Sequence, residues 1–170
     1  MSQYADLFVA IAEIAGVFVG FAALIGVARR GDVTTAQLGQ IRAVVSLGLV
    51  VVVAALVPVG LGLYGLPDRA LWTISGLIFL ALVWTVIILS LRARENRQLV
   101  VSQARTSPVA AAFFWVLLEL PIQVPLLLAI LGIFPGLGPA FYLTALAFNL
   151  FEAAFVLALL VYAQVSDPAQ

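Results

Sequence analysis

The chain has 170 residues, 65% hydrophobic and 9% charged, and its 8 basic residues, all Arg, balance 8 acidic ones. Soluble domains run to about half apolar and about a quarter charged, so this is the composition of a membrane protein, one domain of packed spans without a soluble module. Lys, His and Cys are missing and Met1 is the only Met. That removes the usual haem ligands, a Schiff-base cofactor and ordinary zinc or iron–sulfur sites, and the balanced charge removes a nucleic-acid partner.

A spanning helix needs about 20 apolar residues. Five segments qualify, at 5–27, 42–65, 70–91, 109–133 and 140–163, and they predict an all-α bundle of five transmembrane helices. The first has a leader, MSQYAD, with an acid and no base, and its apolar run outlasts a signal-peptide core, so it reads as a retained helix. Asp6, Ala10, Glu13, Gly16 and Gly20 form a stripe along it, and Gly16-x-x-x-Gly20 is a small-residue packing motif. Small side chains admit a neighbour closely, so Glu13 is expected to face protein rather than lipid.

In the next linker, Thr34 and Gln37 have the spacing of a capping box, which starts the second helix near residue 35. Pro58 is expected to kink that helix. The tight LPDR turn leads to the third, which is expected to continue through 92–105. The fourth contains LLELPIQVP, where Pro121 and Pro125 withhold the N–H groups that the carbonyls of Leu117 and Pro121 would accept. A helix break beside Glu119 follows, of the kind from which transporters build cation sites. After FPGLGP, the fifth helix carries Asn149 and Glu152 three residues apart, as Glu119 and Gln123 are four apart on the fourth. Each pair projects from one side of its helix.

Five spans place the 28–41 and 92–108 loops on the side of the C-terminus. Arg29, Arg30, Arg42, Arg92, Arg94, Arg97 and Arg105 fall there and Arg69 alone falls opposite. The excess of Arg puts that side in the cytoplasm and the N-terminus outside, whereas a four-span thread would scatter the Arg residues over both faces. Topology explains the Arg cluster without a lipid-binding role. Tyr4, Tyr64, Trp72, Phe141 and Tyr142 collect at the outer boundary, where an interfacial belt is expected. Phe114, Trp115, Phe148, Phe151 and Phe155 are expected to pack between helices four and five.

Depth then follows from the rise per residue. Measured from the outer boundary, Glu13 lies about 12 Å in, Asn149 about 14 Å, Gln123 about 15 Å, Glu152 about 18 Å and Glu119 about 21 Å. Three carboxyls and two amides thus share a layer near the middle of the bilayer. An ionised carboxylate there costs about 2.5–3.5 kcal/mol even on lenient insertion scales, and no basic residue lies at that depth to offset it. Either the Glu side chains are mostly protonated or a cation neutralises them. A protonated Glu can also simply hydrogen-bond helices together, worth about 0.6–2 kcal/mol. Enzyme chemistry is not expected, because every Asp lies at or beyond a boundary and no Ser or Thr has a base beside it.

In AEIAGVFVGFAALIGVARR (12–30), Arg42, RALWTISG (69–76) and AFYLTALAFNLFEAAFVLALL (140–160), the chain resembles small uncharacterised bacterial multi-pass inner-membrane proteins with an N-terminal E-x-x-G-x-x-x-G helix. The resemblance implies a helical protein of the bacterial inner membrane and no activity. The functional expectation from the residues is a protein that binds or conducts protons or a small cation at Glu13, Glu119 and Glu152, with Asn149 and Gln123 in the shell. No cofactor is expected, and the identity of any bound metal is open. The alternative is a non-transporting accessory or assembly subunit of a larger membrane complex, and a lipid- or quinone-binding module trails both. Beyond the lipid bilayer, the expected partners are further copies of the chain or a larger membrane complex.

Overall fold

Backbone in hydrocarbon finds no water, so it must satisfy its own hydrogen bonds, and this chain does so with helices. The computed structural model describes residues 2–28, 35–92, 108–134 and 136–165. Among them run α1 (Ser2–Ala28), α2 (Thr35–Gly62), α3 (Asp68–Arg92), α4 (Pro108–Leu131) and α5 (Gly138–Val165), with no strand among the described residues. Helices α1, α2, α3 and α5 are long and apolar enough to cross a membrane; α4 contributes a shorter apolar stretch, Val116–Leu131. The start of α2 at Thr35 matches the expectation from the linker, while Thr34 itself and the 93–105 extension lie outside the described residues.

Helix α4 passes through Pro121 and Pro125 as one helix, so the expected break is not there. Spanning helices tolerate proline because neighbours and small local adjustments re-satisfy the freed backbone. Both described turns rely on glycine in the left-handed region. Gly65 (φ 67°) closes the end of α2 and donates to the Gly62 carbonyl at 3.2 Å. Gly132 (φ 62°) ends α4 and donates to the Leu128 carbonyl at 3.1 Å, the bond of a left-handed C-cap. Thr73 Oγ1 on α3 donates to the carbonyl of Ile130 at 3.2 Å, occupying one of the acceptors the helix end leaves open. Arg69 lies against Gly132, its cation beside the negative end of the α4 dipole.

Helix α5 is the hub. Among the described residues it touches each of the other four helices, whereas α1 reaches only α2 and α5, and α4 reaches only α3 and α5. Among the described residues α1 and α4 do not meet. Close approaches occur at glycines other than the motif pair. A Cβ on Gly48 would stand 2.5 Å from Val19 Cγ2, and one on Gly76 would stand 2.7 Å from Ile130 Cγ1. Gly16 and Gly20 are exposed and an added Cβ would meet nothing, so within this chain the packing expected of them does not occur.

The core gathers at one level around an aromatic cluster. Tyr142 packs against Phe8, Trp72 and Phe79 with ring centroids 5.9, 5.8 and 5.6 Å away. Its hydroxyl donates to the carbonyl of Ala54 at 2.6 Å. That carbonyl is the one Pro58 leaves open, because residue 58 would supply its helical N–H and proline has none. The expectation that Trp72 and Tyr142 belong to an interfacial belt is therefore corrected: they are 5% and 0% exposed, while Tyr64 in the turn does reach outward. Phe148 and Phe151 also point outward instead of packing between α4 and α5. Depth along a helix is legible from chain position, but which way a ring faces is not.

Removing the Tyr142 hydroxyl strands a buried carbonyl, at a cost of about 1–3 kcal/mol. Tyr142→Phe should lower the thermal stability of the detergent-solubilised protein. Because Pro58→Ala returns an N–H to Ala54, the penalty of Tyr142→Phe should shrink in the Pro58→Ala background. Equal penalties in both backgrounds would mean that the hydroxyl and the proline are not coupled.

Candidate functional site

Tyr142 sets a reference level for locating the polar residues. Asn149 lies seven residues along α5, about 10.5 Å deeper, and Glu152 ten residues along, about 15 Å deeper. Helix α4 runs the other way: from Ile130, tied to Thr73 at the aromatic level, Glu119 is eleven residues back, about 16.5 Å. The two carboxyls therefore reach one level from opposite chain directions, and they lie close enough to act on each other electrostatically. Both are half-buried. Gln123, one turn from Glu119 on the same face, donates through Nε2 to Glu119 Oε2 at 3.2 Å.

Asn149 sits nearer the centre of the bundle. It is 1% exposed, and neither Nδ2 nor Oδ1 has a hydrogen-bond partner. Its neighbours at four residues either way, Ala145 and Ala153, are both 0% exposed. Ser75 Oγ is also buried without a partner, a feature that chain position alone did not single out. Hydroxyls on the outer surface behave differently. Thr85 and Thr144 donate back to the carbonyls of Ala81 and Ala140, at 2.7 and 2.8 Å, as they must where lipid offers no acceptor.

Glu13 is not brought to this group. It is exposed on α1, on the same outward stripe as Asp6, Ala10, Gly16 and Gly20. The reason is topological: α1 packs through Phe8, Ile11, Ala12 and Ala15, which places Glu13 on the other side of the helix, and α1 does not touch α4. Among the described residues no cluster of three or more acidic, His or Cys side chains forms. The site is thus a pair of carboxyls with an attached amide, plus a second amide one turn away on α5. The prolines are not part of its face either. Pro121 lies about 200° round the helix from Glu119, so the Leu117 carbonyl it frees is not beside the carboxyl, and Leu117 itself is 57% exposed.

An all-helical bundle with an apolar circumference and four helices long and apolar enough to cross a membrane is that of a multi-pass membrane protein. No family model, curated protein or solved structure matches the chain. The geometry of its residues is therefore the ground for any functional reading.

Hydrogen bonds between side chains in membrane bundles contribute about 0.6–1.7 kcal/mol. Gln123→Leu should lower stability within that range, and the loss should fall once Glu119 is already Leu. A double-mutant cycle by detergent unfolding measures it, and purely additive losses would show that the bond contributes nothing.

Proposed function

We propose that the protein binds, and passes across the membrane, protons or a small cation at Glu119 and Glu152, with Gln123 and Asn149 in the surrounding shell. The observation that supports this most is that two half-buried carboxyls, on the packed helices α4 and α5, fall at one depth along the bundle. Neither helix contains Lys or Arg. Two ionised carboxylates at that depth repel each other, and each carries the cost of leaving water. A proton or a cation relieves both penalties, and a group that gains and loses such a partner is what a membrane path requires. On this reading the protein is not an enzyme and needs no cofactor. We place it in the bacterial inner membrane with the N-terminus outside and the C-terminus in the cytoplasm, on the distribution of Arg along the chain.

A second reading rests on a different residue. Glu13 faces outward beside Gly16 and Gly20, and a carboxyl turned toward hydrocarbon is costly unless another protein covers it. On that reading α1 is the docking face of an accessory or assembly subunit, against a further copy of the chain or another membrane protein.

Reconstituted protein should move protons or a small cation into liposomes. Glu152→Gln and Glu119→Gln should each abolish the flux while leaving the helical content intact, and Glu13→Leu should leave it unchanged. Flux indifferent to both α4 and α5 substitutions would remove the first reading. Loss of co-purifying copies or partners on Glu13→Leu would support the second.

A further inference from the structure

Resting on the first of those readings, the geometry points to a proton, relayed through a water held by Asn149, as the species this site exchanges, in place of a metal cation. The argument begins with the Asn149 amide, which is buried and has both its atoms unpartnered. An amide presents two N–H donors and one oxygen acceptor, so its occupant must be able both to accept and to donate. Water does both. A hard metal cation would take only the amide oxygen and leave the buried N–H donors unsatisfied.

The remaining residues agree with this. Gln123 already directs an N–H at one oxygen of Glu119, so part of the carboxyl pair's acceptor capacity is taken by a donor. No third acidic side chain joins the pair among the described residues, which leaves few oxygens for a metal ion. Asn149 and Glu152 are three residues apart on α5, neighbours on the helix surface with Cβ atoms about 5–6 Å apart. A single water spans that interval. Ser75 makes no such demand, because a serine hydroxyl can rotate onto its own helix as Thr85 and Thr144 do, whereas an Asn149 N–H turned the same way would still leave Oδ1 without a donor.

Among the described residues, every charged group outside the pair is exposed. On α1, Asp6 and Glu13 lie on the exposed face; on α2, Arg42 is exposed; on α3, Asp68 and Arg69 at one end and Arg92 at the other are exposed; on α5, the Tyr142 hydroxyl is engaged with Ala54.

Infrared difference spectroscopy on the full chain in lipid tests this, using the protonated-carboxyl stretch assigned by Glu119→Gln and Glu152→Gln. The expected result is a band lost as pH rises and unmoved at fixed pH by added Na⁺, K⁺ or Ca²⁺. Asn149→Leu should slow deuterium exchange of that carboxyl. Loss of the band on adding one of those cations at constant pH would overturn the inference, as would exchange unaffected by Asn149→Leu. The cation titration uses the unsubstituted protein, so it decides the matter even if Asn149→Leu fails to fold. Liposomes without flux, combined with a cation-insensitive band, would remove the transport reading and leave the proton assignment standing.

Discussion

One hydrogen bond organises the bundle: the Tyr142 hydroxyl on the Ala54 carbonyl, 2.6 Å long and buried. It exists because Pro58 cannot serve that carbonyl and the membrane interior cannot either. In water such an acceptor would simply be hydrated. Here a side chain from α5 must reach α2, and the ring that carries the hydroxyl brings Phe8, Trp72 and Phe79 with it, from α1 and α3. A covalent peculiarity of one residue thereby sets the relative height of four helices.

With α5 pinned at that level, the places of its lower residues follow from the helical rise. Asn149 falls two turns deeper in the centre and Glu152 one turn beyond it, on the side facing α4. Helix α4 is held at its far end by Thr73 and the Gly132 cap, which brings Glu119 down to the same depth. The site is therefore a consequence of two anchors near one end of the bundle acting through rigid helices. Helix α1 is anchored by the same aromatic cluster, but its buried face carries Phe8, Ile11, Ala12 and Ala15, so Glu13 turns away. The chain thus has carboxyls within its helices in different surroundings: two lie half-buried on the packed pair α4 and α5, and one is presented to whatever lies outside.

The five helices and most of their ends were legible in the sequence, because a membrane imposes a length and expels charge, and both leave marks in chain order. Depth was legible for the same reason, through 1.5 Å per residue. Azimuth was not. In a soluble bundle an apolar stripe against a polar surface shows which way a helix faces; here lipid-facing and core-facing positions are equally apolar. Hence Gly16 and Gly20 read as a packing face although Gly48 and Gly76 do that work, Tyr142 read as an interfacial ring, and Glu13 read as a member of the acidic layer. The one available signal that was missed lay four residues before Pro58, where Ala54 needed a donor from another helix. The Pro121 and Pro125 reading failed by a simple angle, since two residues along a helix is more than half a turn.

The absence of Cys allows a direct geometric test of the carboxyl pair, because introduced thiols have no native competitors. Double substitutions to Cys, at Glu119 with Glu152 and at Glu13 with Glu152, can be treated in membranes with an oxidant or a short bismaleimide and scored for links within one chain. The account predicts efficient linkage for the first pair and none for the second. Linkage of Glu13 with Glu152 inside a single chain, or failure of Glu119 with Glu152, would contradict the arrangement from which the proposed site is built.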